Sequence, residues 1–234
     1  MIEPKVHITQ RVLRAPRTAA TAGIIFGLLM GASLIMMEQS VPPETMDSTE
    51  WLEQRSHIVN IALSLLPFAG IAFLWFMGVV RDRLGYLEDQ FFSTLFFGSG
   101  LLYLAMSFAA SAIGAGALAV YALSPSTFVD SNVLIYSQAI MYKLNNVYAL
   151  KMAGMHMIVL GTMWIRTKVM PRWIALISYA LALVLLFAVG YIPRFTLIFP
   201  VWVLVISIYI LYLNFRFQKI EIPQDGLTPE ETPA

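Results

Sequence analysis

Long apolar runs separated by short polar breaks organise this chain. Six runs approach the length of a membrane span, which takes about 20 mostly apolar residues. They cover about Ala19–Met37, Val59–Val80, Phe91–Ala112, Val147–Ile165, Ile174–Gly190 and Phe195–Leu213. The tight turn GYIPRF joins the last two. The pattern predicts an all-α integral membrane protein, a six-span helical bundle.

Three helices are expected to outrun the bilayer. Asp47 is expected to cap a helix, with Glu50 three residues on closing a capping box, and apart from Pro67 no strong breaker follows before Arg81. That helix would be about 50 Å long at 1.5 Å per residue, against a hydrocarbon core of about 30 Å. The third helix runs similarly from Phe91 to Leu123 and stops at the turn cluster SPSTFVDSN. The fourth is expected to start near Asn132 and end at Arg166. Long helices 2, 3 and 4 would then project outside the bilayer as a helical crown. The amphipathic, Tyr- and Asn-rich segment SNVLIYSQAIMYKLNNVY supports that placement. The expected organisation is a cytoplasmic basic N-terminal segment (1–18) and a six-span domain (19–215), with the crown at about 47–58 and 113–146. A disordered acidic, proline-rich cytoplasmic tail (216–234) completes it.

Composition sharpens the class. Apolar residues make up 59% of the 234 positions and charged residues only 12%, against about 45–50% and about 25% in soluble domains. The excess apolar surface suits helices whose outer faces meet lipid. No early short apolar run is followed by a small-residue cleavage site, so the first run is expected to be a span rather than a signal peptide. A net charge of +1 gives no electrostatic basis for binding nucleic acid. Cysteine is absent, which excludes disulfides, thiolate metal sites and cysteine nucleophiles.

Charge placement gives an orientation. With the N-terminus in the cytoplasm, 11 of the 15 Lys and Arg residues fall on cytoplasmic segments and four (Arg55, Lys143, Lys151 and Arg194) on the other side. The positive-inside rule then places both termini in the cytoplasm.

Candidate chemistry centres on KMAGMHMIVLGTMW, Lys151–Trp164. His156 lies ten residues before Arg166, about 15 Å up the helix and near mid-membrane. Intramembrane ionisable groups are costly and face the protein interior. The ring is either hydrogen-bonded to a neighbouring helix or acts as a proton carrier, pore residue or ligand. Its helical stripe contains Asn145, Met152 and Met163, the expected interior face. Ser99 and Tyr103 of the third helix bracket its depth, with Tyr103 the first expected partner. Lys151 shares a different stripe with Tyr148, Met155 and Thr162. It is either an interfacial anchor, its stem snorkelling, or a charge lining a path. His156, Lys151, Asn145, Tyr148 and Tyr103 are the pore or proton-path candidates.

Thioether and imidazole suit Cu(I), so Met152, Met155 and His156 form a candidate metal set, with methionine as plain apolar filler the alternative. Haem would need a second ligand at matching depth, which neither His57 nor His7 supplies, leaving only a symmetric His156 pair or a His–Met pair. No cofactor is expected. GAGALA, Gly114–Ala119, has the letters of a dinucleotide fingerprint without its strand and βαβ context. Like Gly98 and Gly100, it reads as a close helix contact. No nucleophile–base set is visible, so no enzyme activity is expected. The second cytoplasmic loop concentrates Arg81, Asp82, Arg83, Glu88 and Asp89. It is either a solvated turn that fixes topology or a salt-bridged gate or subunit contact.

Residues 66–106, LPFAGIAFLWFMGVVRDRLGYLEDQFFSTLFFGSGLLYLAM, resemble a family of uncharacterised bacterial multi-span integral membrane proteins. The resemblance implies a bacterial inner-membrane protein and assigns no activity. The leading expectation is a channel- or transporter-like homo-oligomer in the lipid bilayer. The alternatives are a non-catalytic accessory subunit of a larger membrane complex and a metal- or haem-binding redox subunit.

Overall fold

The computed structural model describes residues 6–40, 50–84, 90–124, 132–168, 170–187 and 193–220. Among these the regular structure is entirely helical: α1 (Val6–Ser40), α2 (Glu50–Leu84), α3 (Gln90–Leu123), α4 (Val133–Lys143), a π-helical segment (Leu144–Ala149), α5 (Leu150–Thr167), α6 (Arg172–Phe187), a 3-10 turn (Pro193–Leu197) and α7 (Ile198–Ile220).

Four of these helices contain stretches long and apolar enough to cross a membrane: Thr18–Ser40, Gln54–Arg81, Gln90–Leu123 and Phe195–Leu213. A fifth apolar helix, Arg172–Phe187, has 16 residues, or about 24 Å. The helix expected as the fourth span carries Lys151, His156 and Arg166 and lies outside that group of four. At 35 and 34 residues, α2 and α3 are each about 50 Å long. Helix begins again at Val133, directly after Asn132.

The outer surface explains why such a fold needs lipid. Phe68, Trp75, Phe91, Trp173, Leu176, Phe187, Val205 and Tyr212 are each more than half exposed. In water an apolar surface of this extent is an aggregation liability. Against acyl chains it costs nothing.

Inside, α1 packs along α2 and α7, α3 lies between α2 and α5, and α5 packs on α6. Small residues set these approaches. A Cβ on Gly23 would collide with Ser207 of α7, and one on Gly27 would stand 2.7 Å from Leu204 Cβ and 3.0 Å from the Pro200 carbonyl. The α5–α6 contact repeats the device, with Gly154 against the Ala182 carbonyl and Gly161 against Tyr179. Close backbone approach of this kind drives association where lipid removes the hydrophobic effect. Trp202 Nε1 of α7 donates to Ser178 Oγ of α6 at 2.9 Å, which ties the last two helices together.

Irregularities in α2 and at the α4–α5 junction bear on the site. Pro67 sits inside α2, where it removes one backbone donor and clashes with the carbonyl four residues earlier. Six residues between α4 and α5 wind as π-helix. Lys168 ends α5 with a left-handed backbone (φ 54°), and Pro171 then starts the turn into α6, its carbonyl accepting from Ile174 N–H.

Candidate functional site

The centre of the bundle is aromatic. Phe26 (α1), Phe73 and Phe76 (α2), Phe96 (α3) and Phe199 (α7) are fully buried, and Tyr103 nearly so. Phe73 lies 4.6 Å from Phe26 and 5.6 Å from Phe199 between ring centroids. His156 of α5 is inserted into this layer with no exposed surface. Its ring stands 4.4 Å from Phe96, 5.4 Å from Phe73 and 5.8 Å from Phe199.

The imidazole is held at one nitrogen. Nδ1 lies 3.0 Å from the Phe96 carbonyl and 3.5 Å from Ser99 Oγ. A carbonyl only accepts, so Nδ1 carries a proton and donates. In the neutral ring the lone pair then falls on Nε2, which has no hydrogen-bond partner among the described residues. Gly100 makes the insertion possible. A Cβ there would collide with Met77 Sδ and stand 3.1 Å from both Nδ1 and Cε1 of His156.

Tyr103 therefore does not hold His156. The polar partners on α3 are Ser99 and the Phe96 carbonyl, one and two turns before Tyr103. Tyr103 instead packs edge-on at 4.6 Å from Phe199 and 5.9 Å from Phe73.

A second feature lies about 10 Å further along α1, seven residues from Phe26 to Ser33. A partly enclosed cavity of about 60 Å³ is lined by Met30, Ser33, Leu34, Met37, Leu63, Leu66, Ser111, Met141 and Asn145. It sits where both helix irregularities meet. Pro67 cannot donate to the Leu63 carbonyl, and Ser111 Oγ of α3 supplies a donor at 3.3 Å. Ser33 Oγ of α1 donates to the neighbouring Ala62 carbonyl at 2.6 Å. Asn145 belongs to the π-helical segment and is half-buried. Met141 Sδ occupies the space over Gly114, 2.9 Å from where a Cβ would be.

The expected path residues thus separate. His156 and Tyr103 belong to the aromatic layer and Asn145 to the cavity. Lys151 and Tyr148 are exposed on the outside of the bundle and line neither. The stripe joining Asn145 to His156 assumes 3.6 residues per turn, and the π-helical turns between them break that register. Met163 is fully buried, while Met152 and Met155 are partly buried and pack against the core. Arg81 is exposed, with its guanidinium 5.5 Å from the Phe97 ring centre. Arg166 stands 4.7 Å over Phe92 in the same way. Asp82 and Arg83 lie in the last turn of α2. Glu88, Asp89 and residues 221–234 lie outside the described residues, whereas 216–220, expected to belong to a disordered tail, continue α7 as helix.

Of the glycines expected at helix contacts, Gly100 and Gly114 meet neighbouring helices, whereas nothing lies within 4 Å of a Cβ on Gly98 or Gly116. The cavity methionines Met30, Met37 and Met141 and the serines Ser33 and Ser111 escape a reading of the sequence. The one available signal was Pro67, whose orphaned carbonyl requires a donor from somewhere.

No protein-family model, no curated protein and no solved structure matches this chain.

Proposed function

We propose that this chain is a transporter-like protein of the bacterial inner membrane, with six spans and both termini in the cytoplasm, and that the cavity around Asn145 is its solute site. The observation that carries the reading is the coincidence of Pro67 and the π-helical segment at one largely apolar cavity into which Ser33, Ser111 and Asn145 bring polar groups. Interrupted helices supply the backbone polar groups of membrane solute sites, and π-bulges recur at functional positions. The aromatic layer with His156 closes the bundle on the cytoplasmic side of that cavity, a seal between site and cell interior. The distribution of Lys and Arg supports the orientation, and residues 66–106 support the bacterial membrane setting.

A homo-oligomer fits the same reading. Added Cβ atoms at Gly78 and Gly116 would meet nothing within 4 Å, and open small-residue surfaces of this kind favour helix association in lipid. Mass measurement in mild detergent tests it: a multiple of the 26.2 kDa chain is expected, and a monomer contradicts it.

The site itself is tested by thiol accessibility. The chain has no cysteine, so an introduced thiol is the only one. Asn145→Cys and Ser111→Cys should react with a small, membrane-impermeant methanethiosulfonate in intact cells, and Met157→Cys, buried in the core, should not. Inert Asn145→Cys and Ser111→Cys in folded protein would overturn the reading.

A further inference from the structure

We propose that the cavity binds a monovalent soft cation, Cu(I) in chemical class with Ag(I) as its mimic, through the thioethers of Met30, Met37 and Met141. The inference rests on the cavity being the working site and names what that site takes.

Three of the nine lining residues are methionines from two different helices, α1 and α4. Met30 and Met37 are seven residues apart, two turns of one face and about 10 Å along the axis. Two unbranched side chains with three rotatable bonds each can converge across that interval. Met141 is already positioned, because Gly114 leaves the space its sulfur occupies.

The remaining polar groups present lone pairs rather than protons. The hydroxyl protons of Ser33 and Ser111 are committed to the Ala62 and Leu63 carbonyls, so each oxygen turns its lone pairs elsewhere. Asn145 adds an amide oxygen as a fourth donor. Among the described residues no acidic or basic side chain lines the cavity. An anion would find one amide N–H₂ and no positive charge. A divalent cation would be desolvated with no carboxylate to compensate. A single positive charge on a polarisable ion suits neutral thioethers, the donor type that selects Cu(I).

The test uses purified full-length protein in mild detergent. Cu(I), kept reduced with ascorbate, is titrated against a chromogenic Cu(I) chelator, and Ag(I) is titrated by calorimetry. One ion per chain is expected, with X-ray absorption showing a first shell dominated by sulfur. Met30→Leu, Met37→Leu and Met141→Leu should each weaken binding by about tenfold or more, by analogy with the losses that even outer-shell changes cause. Met152→Leu and Met155→Leu should leave it unchanged. Absence of binding, a nitrogen- and oxygen-only shell, or loss of binding on Met152→Leu or Met155→Leu would overturn the proposal. The absorption measurement needs only the unsubstituted protein, so a variant that fails to fold does not block the answer. Reactive thiols at Asn145 and Ser111 without Cu(I) or Ag(I) binding would refute the cation and leave the solute site standing.

Discussion

Ser111 of α3 donates to the carbonyl of Leu63 at 3.3 Å, the acceptor that Pro67 leaves without its helical donor. This pairing matters because a buried backbone acceptor left without a donor costs free energy comparable to a lost hydrogen bond. The same relationship places the Ser111 hydroxyl one turn before Pro67 and adds polar wall to the cavity. Stability and site formation share one set of atoms.

Ser111→Ala should therefore destabilise the protein by about 1 kcal/mol, the scale of hydrogen bonds measured within membranes. In a Pro67→Ala background, where residue 67 regains its N–H, the same substitution should be close to neutral. Denaturant unfolding in detergent, arranged as a double-mutant cycle, measures the coupling. Equal costs in both backgrounds would contradict the pairing.

Gly100 and Gly98 should respond in opposite ways. Gly100→Ala forces a methyl against Met77 and the His156 ring and should cost about 1–3 kcal/mol through overpacking. Gly98→Ala meets open space and should be neutral or stabilising by up to about 1 kcal/mol, the helix-propensity gain. Thermal unfolding of the two variants side by side decides it.

His156 should carry its proton on Nδ1. Nitrogen NMR of histidine-labelled protein in detergent distinguishes the two ring positions directly. A proton on Nε2 with bare Nδ1 would mean that the Phe96 carbonyl is not its acceptor. His156→Phe tests the same contact by another route. It keeps the aromatic layer filled and removes the donor, so its cost should stay within about 1–3 kcal/mol, well short of the 3–5 kcal/mol typical of emptying an aromatic-sized site.

Topology is checked outside the described helices. A cysteine replacing Thr228 should be protected from an impermeant reagent in intact cells, and one replacing Ser126 should label. The reverse pattern would invert the orientation and place the aromatic layer on the far side of the cavity.

How much of this was legible in the sequence follows from the solvent. Helix positions were legible because apolar runs and their breakers are local: the last span, Phe195–Leu213, coincides with the run read from sequence. Inside and outside were not. In water a buried Phe differs from its surface neighbours in pattern, but in lipid both faces are apolar. Buried Phe73 and exposed Phe68 and Trp75 therefore look alike. The burial of His156 was legible because a polar ring cannot face acyl chains. Its partner was not, since depth counting located Ser99 and Tyr103 without saying which way each side chain turns. The π-helical turns at 144–149 leave no compositional mark, and they moved Asn145 off the stripe that ordinary periodicity assigns.

A lipidic-mesophase crystal structure at high resolution would settle the cavity most directly. About 60 Å³ exceeds the roughly 10–15 Å³ that one water needs, and hydroxyl and amide groups offer the partners a water requires. Electron density for water or an ion bonded to Asn145 and adjoining Ser111 is expected. Methionine side chains collapsed into the space, with the Asn145 amide turned away and no density beside it, would contradict the reading of this cavity as the site where the protein works.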